Sequence, residues 1–191
     1  MRIVGGSLRG LSLSGLGKGD AAAHLRPTTD RVRESLFNLL TNGRGGDLVD
    51  GAVVLDLFAG TGALGIEALS RGARHATFVD DGRTAARLLS DNIARARLGD
   101  RAAVIRRQAA RIGPAPGAPA TLVFLDPPYG RGLGGPALDA ARAGGWLAPG
   151  ATVVWEESAP PALPSWLDEI DRRRYGGTHL ALARVAQEGP A

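Results

Sequence analysis

Residues Val53 to Gly65, VVLDLFAGTGALG, constrain the fold more than any other stretch. Three apolar residues, Val53, Val54 and Leu55, lead into Asp56 and a glycine-rich turn, and Ala63, Leu64, Ile66, Ala68 and Leu69 then begin a helical pattern. Strand, tight turn and helix in that order make the first half of a βαβ unit. Gly60, Gly62 and Gly65 fit G-x-G-x-x-G, in which one glycine makes the turn, one admits a ligand to the backbone and one lets helix and strand approach. The helix start offers unpaired N–H groups to a polar ligand. With 28 glycines in 191 residues, the spacing alone is a weak signal. Two acids strengthen it. Asp56 ends a strand, at the edge where open α/β sheets bind ligands. Asp80 closes the next apolar run, Ala76 to Val79, about twenty residues past Gly60, where an acid grips ribose hydroxyls. Asp81 is the alternative; Asp80 is preferred because it closes the strand.

The rest of the chain alternates in the same way. A helix is expected over 83–97, with Leu89, Ile93 and Ala96 on one face, then strands at 102–107 and 121–125. A helix near 134–144 and a strand at 152–155 follow, and runs at 167–175 and 178–185 joined by Gly176-Gly177 read as a hairpin. The expectation is α/β: a mostly parallel sheet closed by a C-terminal antiparallel hairpin. Ahead of it, the runs 2–5 and 8–14 read as a small β-hairpin. A helix starts near Arg26-Pro27-Thr28-Thr29-Asp30, with Val32, Leu36, Leu39 and Leu40 at helical spacing and Arg31 and Arg33 off that stripe. The expected division is 1–44 for hairpin and helix and 45–191 for the main domain.

Charge separates the two parts. Residues 1–44 hold seven basic and three acidic groups, and the remainder is balanced, so the formal charge of +4 resides in the N-terminal quarter. A basic segment beside a neutral ligand-binding domain suits a polyanionic partner. The absence of cysteine excludes disulfides and thiol catalysis. His24, His75 and His179 have no metal-ligand spacing, so no metal is expected. No long uncharged apolar run and no apolar signal core in MRIVGGSLRG are found, and a cytoplasmic location is expected.

The most specific signal is Asp126-Pro127-Pro128-Tyr129, directly after the buried run TLVFL. Two prolines cannot continue a ladder, because they lack N–H donors and fix φ. They make a rigid turn at the sheet's carboxyl edge. There the Asp126 carboxylate and the Pro127 carbonyl can both accept hydrogen bonds, and Tyr129 adds an aromatic face. Two acceptors and a ring suit a planar ligand carrying an NH2 group, such as an extruded nucleobase.

DLFAGTGALG followed by DPPY resembles the class I methyltransferases that use S-adenosylmethionine and act on exocyclic amino nitrogens. RIVGGSLRG, RPTTDRVRESLFN, FAGTGALGIEALSRGA, DPPY and GWL together resemble the RsmD family, bacterial 16S ribosomal RNA guanine-N2 methyltransferases. The resemblance implies a Rossmann-like seven-stranded fold and methylation of one guanine of the small ribosomal subunit. It implies that Asp56, Phe58, Gly60 and Gly62 bind the cofactor, that Asp80 binds its ribose, and that Gln108-Ala109 lies near its adenine. Asp126, Pro127 and Tyr129 would be catalytic. Arg9, Arg26, Arg31 and Arg33 would grip folded RNA, within an assembled or assembling subunit, with the enzyme acting as a monomer. Other readings stay open at this point: an amino-group methyltransferase acting on adenine or on a protein glutamine, a non-catalytic RNA-binding scaffold, or a nucleotide-dependent oxidoreductase.

Overall fold

Strands as apolar as VVLDL and TLVFL need cover on both faces, and the helices between them supply it. The computed structural model describes residues 1–15, 30–43 and 45–186. Its elements run α1 (Asp30–Asn42), β1 (Val53–Leu57), α2 (Ala63–Ser70), β2 (His75–Val79), α3 (Arg83–Ala96), β3 (Ala102–Ile105), β4 (Ala120–Leu125), α4 (Gly134–Ala143), β5 (Leu147–Glu157), β6 (Leu167–Tyr175) and β7 (Thr178–Val185). One seven-stranded sheet has the order β3-β2-β1-β4-β5-β7-β6. The first five strands are parallel; β7 is antiparallel to β5, and β6 to β7. The chain moves outward from β1 to β2 and β3, then returns to β4 on the other side of β1. The order therefore reverses between β1 and β4, and their carboxyl ends flank the crevice where such sheets take ligands.

Side chains alternate across this sheet. Val54, Phe78, Phe124 and Val154 join one core with Leu36, Phe37 and Leu40 of α1, Ile66 and Leu69 of α2 and Leu89 and Ile93 of α3. Leu55, Leu57, Val123, Leu125 and Val153 join the other, under Ala137, Leu138 and Ala141 of α4. The edge strand β6 is exposed along most of its length and carries Asp168, Glu169, Asp171 and three arginines, which discourages pairing with a further strand.

The N-terminal runs pair as a short antiparallel hairpin around a 3-10 turn at Gly6–Leu8: Arg2 bridges Ser12, the Ile3 N–H donates to the Leu11 carbonyl (2.9 Å), the Gly10 N–H to the Ile3 carbonyl (2.8 Å) and the Leu13 N–H to the Met1 carbonyl (3.0 Å). Gly6 carries φ +72, and the turn bends the backbone so that Ser7 Oγ donates to the Ser70 carbonyl and the Leu8 N–H donates to Ser70 Oγ. β5 begins at Leu147 rather than Thr152. The register shift between Ala120 and Leu122 of β4 takes Pro149 and Gly150 into the strand. Ile3 and Leu13 are buried in the same core as Val54 and Phe78, so the N-terminal segment and the sheet share one interior. The expected helix cap at Arg26 to Thr29 lies outside the described residues.

Candidate active site

The turn after β1 is built from its own backbone and two acids. Phe58 holds φ +62 and Gly60 φ +56, and a bulky residue in the left-handed region costs about 1–3 kcal/mol, a strain found most often at ligand sites. Asp80 braces the turn. Its Oδ2 accepts from the Gly60 N–H (2.8 Å) and its Oδ1 from the Gly82 N–H (2.8 Å). Each carboxylate oxygen keeps a lone pair for a further donor, such as a ribose hydroxyl. Asp81 beside it is exposed. Gly62 and Gly65 are fixed by close packing: a Cβ on Gly62 would lie 2.4 Å from Leu89, and one on Gly65 2.3 Å from Phe78 and 3.0 Å from Asp56 Oδ2. That approach lets the Gly65 N–H, in the first turn of α2, donate to Asp56 (2.9 Å).

Asp56 is 2% exposed. Burial pushes its carboxyl up to about 7 against the pull of the Gly65 N–H, with the Asp80 charge adding to the rise. Asp126 closes β4 on the same crevice. Since Leu125 pairs with Trp155, the next position sets Asp126 beside Glu156 of β5. Burial, then the charges of Glu156, Asp56 and Glu157, hold the Asp126 carboxyl well above the ordinary carboxylate range. Tyr129 is half-buried, and its hydroxyl donates to Glu156 Oε1 (2.7 Å) with Thr178 Oγ1 at 3.3 Å. Burial raises its ionisation further, so it stays a neutral donor. Glu157 Oε1 accepts from the Gly130 N–H (3.1 Å), which ties down the far end of the turn. Pro127 is buried.

The crevice is thus a pocket of carboxyl groups, Asp56, Asp80, Asp126 and Glu156, that repel one another. Such a set suits a ligand that is cationic and rich in N–H or O–H donors. A sulfonium carrying an α-amino group and a ribose, as in S-adenosylmethionine, has that donor set. Among the described residues no group of three or more His, Asp or Glu is arranged to hold a metal ion. Gln108 is exposed at the start of a short 3-10 turn, Ala109–Arg111, and Ala109 is buried in the core, leaving only its backbone for a ligand. Glu156, Glu157 and Thr178 are not singled out by sequence, although WEE after an apolar run carries the same signal as Asp56: acids at the carboxyl end of a parallel strand.

The basic N-terminal residues divide. Arg9 and Arg31 are exposed and line one cavity. Arg26 lies outside the described residues. Arg33 is 0% exposed and cannot reach an external phosphate. Its Nη2 donates to the Arg2 carbonyl and to Asp30 Oδ1 (2.8 Å), and its Nε lies 3.5 Å from Glu67 Oε2. Glu67, also fully buried, accepts from Arg71 Nε (2.8 Å) and from the Val4 N–H (2.8 Å). Arg33 therefore joins α1 to α2 and to the N-terminal segment instead of binding RNA.

Comparison with known proteins places this geometry. A family model described as "Conserved hypothetical protein 95" matches residues 1–184. The Escherichia coli protein named Ribosomal RNA small subunit methyltransferase D is 39% identical over 165 residues, 86% of this chain and 78% of that protein. A solved Escherichia coli structure superposes with a TM-score of 0.83 at 36% identity, covering 98% of this chain and 99% of its own. An RNA methyltransferase from Salinibacter ruber, solved with S-adenosyl-L-homocysteine, shares the fold at 19% identity, with a TM-score of 0.65 and coverage of 86% and 96%.

Proposed function

The chain belongs to the RsmD family, and on that premise we propose that it transfers a methyl group from S-adenosylmethionine to the exocyclic N2 of a guanine in 16S ribosomal RNA. The observation that carries this reading is the Asp126 carboxyl, closing β4 beside Glu156 and Asp56 with Tyr129 pinned next to it. S-adenosylmethionine supplies an electrophilic methyl on a sulfonium. The lone pair of the guanine amino group is delocalised into the ring, so the protein's main task is alignment. Asp126 and the Pro127 carbonyl accept the two amino hydrogens, hold the nitrogen in line and stabilise the positive charge that grows on it. The raised basicity of Asp126 suits it to receive the proton released there. Tyr129, fixed by Glu156 and Thr178, offers its ring to a base taken out of the RNA stack. Asp80 holds the cofactor ribose; Asp56, Phe58, Gly60 and Gly62 form the floor near its methionine end; Gln108 and the Ala109 backbone lie toward the adenine.

No helix among the described residues is long and apolar enough to cross a membrane. The reading includes a cytoplasmic monomer acting on RNA within an assembling small subunit, with 1–44 as the RNA-recognition part. Incubation with labelled S-adenosylmethionine and separate 16S RNA, small-subunit particles, DNA and protein tests it. Label enters the RNA of the particles most rapidly. Label in DNA or protein, with none in RNA, overturns the reading.

A further inference from the structure

A cavity of about 260 Å³ opens between the N-terminal turn and the first turn of α1, lined by Arg2, Val4, Arg9, Asp30, Arg31 and Glu34 among others. Its charged groups are not equivalent. Asp30 is held by Arg33 Nη2 (2.8 Å) and lies 3.4 Å from Arg2 Nε. Arg9, Arg31 and Glu34 are exposed and make no ion pair among the described residues. Two cationic forks and one carboxylate thus face a space of nucleotide size.

The α1 side of the cavity lies toward the catalytic edge of the sheet, while Val4 and Leu8 of the N-terminal segment pack on Glu67 and Ser70 toward the end of α2 (2.8 and 2.9 Å). Arg33 meets Glu67, and Phe37 lies under the Arg71 guanidinium (5.0 Å). The same offset in both pairs runs α1 alongside α2 in the same direction. α2 starts at the glycine turn above β1, so the first turn of α1, with Asp30, Arg31 and Glu34, points to that same edge.

We propose that this cavity is a second nucleotide subsite, which takes a guanine nucleotide of the RNA outside the methylated residue. Arg9 and Arg31 bind its phosphate, since guanidinium forks match phosphate oxygens. The Glu34 carboxylate selects the base. Only guanine presents two adjacent N–H donors, N1–H and the 2-amino group, on its Watson–Crick edge; in adenine, cytosine and uracil the donor adjoins acceptors that repel a carboxylate. A carboxylate in a phosphate-binding cavity would be a penalty unless a donor-bearing base covers it. The subsite rests on the RNA methyltransferase reading and adds to it a device for register, because one extruded guanine cannot specify a position in a large RNA.

The test has a kinetic arm and a binding arm. Initial rates with 16S RNA are compared for the parent, Arg9→Gln/Arg31→Gln, Glu34→Gln, and a control that removes equal charge from the far edge strand, Arg173→Gln/Arg174→Gln. The Arg9/Arg31 pair raises KM for RNA by about tenfold or more and flattens the log–log salt dependence by about 0.7 for each phosphate no longer neutralised. Cofactor affinity is kept, and the control behaves as the parent. In the binding arm, guanosine and adenosine 5′-monophosphates are titrated into isotope-labelled protein. Guanosine monophosphate alone shifts the Gly10 and Glu34 amides, and Glu34→Gln abolishes the preference over adenosine. An unchanged KM in the Arg9/Arg31 pair, or equal or absent shifts with the two nucleotides, overturns the subsite. If the parent methylates no RNA, the function reading fails instead, and the titration alone decides the cavity.

Discussion

Two regions of this protein bury charge, and they treat it in opposite ways. Between α1 and α2, Glu67 is fully buried but meets Arg33, Arg71 and the Val4 N–H, so its charge is answered within the fold. At the carboxyl ends of β1 and β4, Asp56 and Asp126 make no ion pair among the described residues, and burial plus the charges of neighbouring acids raise both. The first arrangement holds elements together. The second is left for a ligand to complete, which is the usual distinction between structural and functional clusters of titratable groups.

Removing one acid from each region separates the two kinds. The largest effect is expected for Glu67→Ala, which removes the buried carboxylate shared by Arg33 and Arg71 and leaves the buried Arg33 to Asp30 and the Arg2 carbonyl, at a cost of about 3–5 kcal/mol of stability, read as a lowered Tm. Asp56→Asn keeps the acceptor for Gly65 and removes a charge that is costly to bury, so its Tm equals or exceeds the parent's while cofactor affinity falls. Equal Tm losses in both variants would erase the contrast.

Next in size is Asp126→Ala. Methyl transfer falls by about 10²–10³, the usual loss for a group acting on developing charge, while calorimetry finds cofactor affinity near the parent's. A variant that turns over at the parent rate removes Asp126 from the chemistry.

pH sharpens the contrast further. A carboxyl whose folded pKa lies above its unfolded value binds its proton more tightly in the native state. The stability from Asp56 is therefore fully present below about pH 4 and is lost as pH rises to about 7. Asp126 and Asp80 are shifted in the same direction. In the ligand-free protein their contribution lowers Tm across that window, and Asp56→Asn makes the fall shallower. A cationic cofactor favours the ionised acids, so its binding near pH 7 releases protons, measured as a buffer-dependent calorimetric enthalpy. Identical enthalpies in buffers of different ionisation heat would contradict this.

The smallest effect expected is at Asp80. Asp80→Ala weakens cofactor binding by about tenfold, equivalent to about 1.4 kcal/mol, with RNA affinity in the absence of cofactor unchanged. Asp81→Ala leaves cofactor binding alone. The reverse pattern moves the ribose contact to Asp81.

What is legible in the sequence is local. The glycine turn, DPPY and the hairpin of β6 and β7 are each written in adjacent residues, and the structure has them as strand ends and turns at the expected places. Arg33 reads from sequence as an RNA contact, yet the buried stripe of α1 is Arg33, Leu36, Phe37 and Leu40. That stripe has ideal helical spacing, but its first member is charged, and its partner Glu67 lies in another helix. Val32 and Leu39 offer a more apolar stripe in one dimension. Glu156 is hidden for a related reason: its importance comes from its register with Asp126 across a parallel pair, which local pattern does not encode. The lone acid in the apolar helix GIEALS is the available sign that α2 has a cationic neighbour.

The central claim is that the buried acids Asp56 and Asp126 at the sheet edge direct methyl transfer to a guanine amino group. Its most direct test is nucleoside mass spectrometry of 16S RNA from small-subunit particles treated with the protein and labelled S-adenosylmethionine. The account predicts labelled N2-methylguanosine with the parent and at least about a hundredfold less with Asp126→Ala. Label on any other nucleoside, or equal label from the two proteins, would contradict it.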